Sequence, residues 1–184
     1  MSRRAFVRPR LAAWMLSCAV ALAGGISMPA AAADPSTVPV GAALREAALQ
    51  GLNGPARKLS SYRGRPLIIN VWASWCGPCR QEMASLERLA WSDAGAQFTV
   101  IGISTDDDIE QARAFLGVAN ATINHYIDRK LEMEHMLGAE YLPLTVLVDA
   151  QGRVVEKVVG ARAWDSPETV AMIRKAFGLR GKTR

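Results

Sequence analysis

Residues 66–82 read PLIINVWASWCGPCRQE, and this stretch decides the fold. Its first eight residues form a continuous apolar, β-branched run, the pattern of a strand buried on both faces. Cys76 and Cys79 follow at the carboxyl end of that run, three positions apart. Pro78 suits a first helical turn, where its missing N–H costs nothing. Beyond it, Cys79, Met83, Leu86 and Ala90 fall on one helical stripe, while Arg80, Gln81, Glu87 and Arg88 lie mostly off it. The reading is strand, turn, helix, with Cys76 at the helix start and Cys79 one turn deeper on the buried side.

Working outward, residues 97–105 (QFTVIGIST) form a second strand of the buried type. Asp106 to Asp108 offer an N-cap and a solvated loop before a helix on which Ile109, Ala112, Phe115 and Leu116 share a face. Residues 122–128 (TINHYID) are a short strand, and residues 129–138 (RKLEMEHMLG) a helix ending at Gly138. Two β-rich runs flank DAQGR, a hairpin signal. A last helix is capped by Ser166, opened by Pro167, lined by Val170, Ile173 and Phe177, and ended by Gly178. Upstream, a short helix is expected within residues 41–51, and residues 51–66 read as turns around a short strand. Strand–helix–strand forces a crossover and parallel pairing, and the hairpin adds antiparallel strands. The expected class is α/β: a central mixed β-sheet flanked by helices, with an extra N-terminal hairpin and a helical insert.

The amino terminus has a different character. Arg3, Arg4, Arg8 and Arg10 precede an apolar run from Leu11 to Met28 and a small-residue stop at Ala31, Ala32 and Ala33. That is the layout of an export signal, read here as residues 1–33, with the folded domain at residues 34–184. SRRAFVR fits both a twin-arginine leader and a general secretion signal. An uncut leader would instead anchor the domain in the inner membrane through residues 11–28, a run slightly short of the ~20 residues of a comfortable span. The expected location is periplasmic in either case, since the arginines stay inside. Four arginines and no acid lie in the leader, so most of the net charge of +5 belongs to it. The remaining charge shows no basic run with interleaved aromatics, which argues against nucleic acid as a partner.

With Cys18 lost with the leader, Cys76 and Cys79 are the only cysteines left. An exported domain of about 150 residues can stand on its own core and needs no staple. A three-residue separation is a poor staple anyway, because loop-closure entropy grows with loop size. The metal reading lacks ligands: His125 and His135 have neither finger-type spacing, and each reads as an ordinary surface or partly buried histidine. No metal and no cofactor is called for. A redox dithiol fits best. Unpaired N–H groups and the helix dipole favour a thiolate at Cys76, the species that attacks disulfides. Cys79, more deeply placed, would then attack Cys76 and release the reduced partner.

WASWCGPCR, the Pro143 segment, the LVDAQGRVV hairpin and the SPE of the last helix resemble thioredoxin-like proteins, and more narrowly the exported TlpA/ResA-like thiol-disulfide oxidoreductases. The resemblance spans roughly residues 40–178. It implies a thioredoxin-like fold and a cis peptide at Pro143 beside the sulfurs. Partner contact would fall to Trp75, Gly77, Pro78 and Leu142, with Trp75 packed over the dithiol and Trp72 in the core. It further implies that Glu82, one turn from Cys79, takes the proton from Cys79 through a partly buried carboxylate of raised pKa. Asn70 stands where cytosolic thioredoxin carries a buried aspartate, so proton handling should fall more heavily on Glu82. Leu144 and Thr145 follow Pro143 where the family often has threonine at once, and Ala84 replaces a family proline. The expected activity is reduction of disulfides in partner proteins by a monomer fed from a membrane electron donor, of the cytochrome c maturation or copper-centre assembly type. Disulfide oxidation, or thiol-based copper binding without turnover, are the alternatives.

Overall fold

The computed structural model describes residues 36–179; the leader and Cys18 lie outside them. Seven strands form one mixed sheet. In chain order they are β1 (Ala48–Gly51), β2 (Arg57–Lys58), β3 (Leu67–Trp72), β4 (Thr99–Ser104), β5 (Asn124–Ile127), β6 (Leu144–Val148) and β7 (Val154–Val159). Across the sheet the order is β2-β1-β5-β4-β3-β6-β7. β3 pairs in parallel with β4, and β4 with β5. β6 returns antiparallel on the other side of β3 and carries β7 as its hairpin partner. The N-terminal hairpin β1–β2 extends the opposite edge through an antiparallel pair with β5. The mixed sheet, added hairpin and helical insert are those expected from the sequence.

Among the described residues four α-helices cover the faces: α1 (Gly77–Ala90), α2 (Ile109–Val118), α3 (Glu132–Leu137) and α4 (Pro167–Ala176). Alternation along β3 divides the interior. Leu67, Ile69 and Val71 pack with Met133, Met136 and Leu137 of α3 and with Val38, Leu44 and Leu49 of the N-terminal segment. Ile68 points to the other face, into a cluster with Leu86 and Leu89 of α1 and Trp164 and Ile173 beside and within α4. Trp72, also on that face, joins Cys76, Cys79, Met83, Ala112 and Leu116. Between Ile68 and Trp72 on the same face stands Asn70, a buried polar residue.

The expected helix within residues 41–51 does not form. Ala-rich composition favours it, but tertiary pairing overrides the propensity. The N–H groups of Gly41 and Leu44 donate to the carbonyls of Val154 and Gly152, and residues 48–51 enter the sheet. Leu44 and Leu49 thereby reach the core five positions apart, a spacing that helix periodicity does not supply. His125 is corrected too: it is 1% exposed, on a central strand, rather than at the surface or half-buried. Leu89 is fully buried on α1, while Ala90 is only partly so.

Candidate active site

β3 ends at Trp72, and the chain turns through Ala73–Trp75 to Cys76, which is itself the N-cap of α1. Cys76 keeps extended backbone angles while its sulfur accepts from the Cys79 N–H at 3.2 Å, so the sulfur occupies the position of a capping oxygen. Pro78 sits within the first turn, where no carbonyl awaits its missing N–H. Cys76 and Cys79 are joined as a disulfide. Cys79 is fully buried, whereas Cys76 retains 5% exposure behind an exposed rim of Trp75, Gly77 and Pro78. The asymmetry between the two sulfurs has the expected sense.

Trp75 corrects one expectation. Its side chain is 70% exposed and stands outside the buried cluster of the sulfurs, because β3 has ended and the turn alternates Trp75 outward and Cys76 inward. Trp72 is in the core, fully buried. The Leu142–Pro143 peptide is cis. Register brings it to the site: Val71 pairs with Leu144, so Pro143 is level with Trp72, where β3 hands over to the cysteines. Leu142 packs partly buried against the cluster that holds Cys76 and Cys79.

Glu82 lies one turn beyond Cys79 on α1 and is only 2% exposed. Its Oε1 accepts from Asn70 Nδ2 at 2.7 Å, and its Oε2 accepts from Trp164 Nε1 at 2.8 Å and from the Arg162 N–H at 3.1 Å. Burial pushes its pKa above the ordinary carboxylate value, and the bonds from Trp164, Asn70 and Arg162 restrain the rise. Glu82 also borders an open cleft between α1 and the loop after β7, edged by Gln81, Ser85, Arg88 and Arg162. Asn70 Nδ2 also donates to Thr145 Oγ1 at 3.0 Å. The one-residue displacement of the threonine after Pro143 explains this bond: Leu144 points to the α3 face, and Thr145 to the α1 face beneath Glu82. α1 runs unbroken past Ala84.

Sequence reasoning missed three contributors. Trp164, fully buried, holds Glu82 through its indole N–H from the loop before α4, and its backbone N–H donates to Ser85 Oγ at 3.1 Å. Arg162 holds Glu82 through its backbone, for which no side-chain signal exists. The sequence pattern groups Asp106 with Asp107 and Asp108 as a cap and solvated loop. Asp108 does cap α2, but Asp106 is buried at 3% exposure. It accepts from the Ser74 N–H at 3.0 Å, from Ser74 Oγ at 2.6 Å and from Ser104 Oγ at 2.7 Å, fixing the turn that delivers Cys76. Its signal was available: an aspartate at the carboxyl end of a strand paired in parallel with the one that precedes the cysteines.

A thioredoxin-like sheet, a disulfide at a helix N-terminus and a cis proline level with it define a thiol-disulfide oxidoreductase. The Redoxin family model matches residues 30–173, and the chain belongs to that family. It is 33% identical over 136 residues to the thiol:disulfide interchange protein DsbE of Pseudomonas aeruginosa, covering 69% of this chain and 72% of that one. It is 27% identical to the thiol-disulfide oxidoreductase ResA of Geobacillus thermodenitrificans, over 69% of this chain and 73% of the relative. A crystal structure from Chlorobium tepidum, assigned as a thiol:disulfide interchange protein DsbE, superposes with a TM-score of 0.69 at 28% identity, over 76% of this chain and 98% of that one. The activity is therefore thiol-disulfide exchange of the ResA/DsbE type.

Proposed function

We propose that this protein is an exported reductant of disulfides in partner proteins, working at the periplasmic face as a monomer and recharged by a membrane electron donor. Its substrates on this reading are thiols kept reduced for cytochrome c maturation or copper-centre assembly. The arginine-led apolar leader supports export, with anchoring through residues 11–28 as the uncut variant. The observation that carries the reading is the pairing of Cys76, at the cap of α1, with a titratable carboxyl buried one turn beyond Cys79.

The chemistry runs in two displacements. The Cys76 thiolate attacks one sulfur of a partner disulfide, forming a Cys76–partner S–S bond and expelling the other partner sulfur as thiolate. Glu82, as carboxylate, takes the proton from the Cys79 thiol. The Cys79 thiolate then attacks Cys76 Sγ, closing Cys76–Cys79 and expelling the second partner sulfur. Two electrons pass from the dithiol to the partner, and the membrane donor restores them. Trp75, Gly77, Pro78 and Leu142 form the apolar rim that meets the partner, and Pro143 offers backbone beside the sulfurs.

Two measurements test this. The Cys76–Cys79 couple should have a potential near the reducing end, about −270 mV, as for thioredoxin; a value near the −120 mV of DsbA would instead make it an oxidase. The Cys79→Ser variant should stall as a mixed disulfide on Cys76, and mass spectrometry of the adduct in periplasmic extract names the substrate. No adduct, with stoichiometric cuprous binding and no insulin reduction, would favour a copper-binding module.

A further inference from the structure

Among the described residues, every hydrogen-bond partner of the Glu82 carboxyl is a donor. The indole N–H of Trp164 and the backbone N–H of Arg162 meet Oε2, and Asn70 Nδ2 meets Oε1. This shell suits a carboxylate. It offers no acceptor to the proton of a neutral acid, and a buried O–H without an acceptor is costly. Neither an indole nor a backbone amide can become an acceptor. A primary carboxamide can: a half-turn about its last bond exchanges Oδ1 for Nδ2 without changing its shape.

Asn70 is poised for that exchange. Its Oδ1 is buried and makes no hydrogen bond, so no bond at that end resists rotation. Its other contact, Thr145 Oγ1 at 3.0 Å, is a hydroxyl, able to accept from Nδ2 or to donate to Oδ1. In both orientations Asn70 keeps two bonds; the exchange leaves its NH2 rather than its C=O unpartnered, a cost that the bond from a protonated Glu82 must outweigh. The choice falls to Glu82.

We propose that Asn70 is a positioning residue that follows the protonation of Glu82 by turning its side-chain amide, Nδ2 serving the carboxylate and Oδ1 serving the acid. Its value to catalysis rests on the reading of Glu82 as the base for Cys79: the proton taken from Cys79 Sγ would lie between Glu82 and Asn70 Oδ1. An aspartate at this position would always place a second acid against Glu82, and the two would share one proton. Asparagine, which does not titrate, adds no second acid beside Glu82.

The groups facing Glu82 from each packed element are few. On α1 they are Cys79, which cannot titrate while the disulfide is closed, and Arg88, ion-paired to Asp165 at 2.6 Å. β3 and β6 present Asn70 and Thr145, and the loop after β7 presents the Arg162 backbone and Trp164, with Asp165 beyond them on Arg88. His125 lies two strands away and stays neutral until about pH 3.

The test follows the Asn70 side-chain NH2 and the Glu82 carboxyl carbon by NMR, on the oxidised protein, from about pH 4 to about pH 9. Both should move with one shared midpoint. Glu82→Gln should flatten the Asn70 response, and Asn70→Asp should raise the Glu82 midpoint by about one pH unit or more. An Asn70 amide that stays flat across this range, or one that still titrates in Glu82→Gln, would overturn the proposal. Insulin reduction is a separate readout: a Glu82→Gln enzyme with wild-type rate and pH profile would remove Glu82 from the redox cycle while leaving the shared titration intact.

Discussion

Two buried polar sites lie in one transverse row of the sheet, and they have opposite characters. Thr145, Asn70, Gly102 and His125 pair in register across β6, β3, β4 and β5. At one end, Asn70 and Thr145 support Glu82 beneath α1. At the other, His125 leans across Gly102 and accepts from Trp72 Nε1 at 3.1 Å. Gly102 makes room for this: a Cβ there would sit 2.0 Å from His125 Nδ1. Each end also holds one buried polar atom without a partner, Asn70 Oδ1 and His125 Nε2. Burial and polarity are therefore shared, and what differs is titration and access. Desolvation holds His125 neutral, its pKa lowered to about 3, so it acts as fixed packing. Glu82 is raised by burial above the ordinary carboxylate value, borders an open cleft and shares a helix with the sulfurs. A buried polar group becomes chemical machinery only when it can change its proton and hand it on.

That contrast can be broken in four ways. Glu82→Gln should slow insulin reduction by about 10²-fold, the usual scale for a lost general base, and should abolish the acid limb of the pH profile, where Glu82 becomes protonated and can no longer accept. His125→Ala should do the reverse. It should cost about 2 kcal/mol in urea unfolding, from a cavity and an orphaned Trp72 N–H, while turnover of the folded protein stays within about twofold.

The pH dependence of stability separates the two ends again. His125 is held below its ordinary 6.5, to about 3, so the unfolded chain binds a proton that the folded one refuses. Stability contributed by neutral His125 is complete above about 6.5 and drains as pH falls toward about 3, by up to ~1.4 kcal/mol per pH unit. His125→Gln, which cannot titrate, should lack this slope in unfolding titrations. Glu82 has the opposite sign: with its pKa raised, its contribution is complete below the ordinary carboxylate value and lost as pH rises through the folded one. The smallest effect belongs to Trp164→Phe. It keeps the ring but removes a bond that favours the charged carboxylate, so Glu82 should rise further and the acid limb of turnover should move alkaline by about half a pH unit.

Much of this was legible in residues 66–82. Cys76, Pro78 and the α1 stripe are local patterns, and local patterns survive folding. The cis Leu142–Pro143 peptide came from resemblance, since nothing in the residues near it demands that isomer. Other features were hidden for physical reasons. Trp164 meets Glu82 from 82 positions away, and Asp106 meets Ser74 from 32, so neither contact leaves a periodic trace. Residues 41–51 misled because alanine-rich propensity is weak beside the hydrogen bonds of a waiting sheet edge and hairpin. His125 misled because its burial depends on Gly102, a residue on another strand.

The central claim is that Cys76, at the cap of α1, is the ionised attacking sulfur and that Cys79 waits beneath it. The most direct measurement is the pH dependence of iodoacetamide alkylation in the two single-cysteine variants, Cys79→Ser and Cys76→Ser. Cys76 should titrate well below the ordinary thiol value of about 8.5 and react many times faster than Cys79 at neutral pH. Two thiols that both titrate at about 8.5 and react at equal rates would contradict the account.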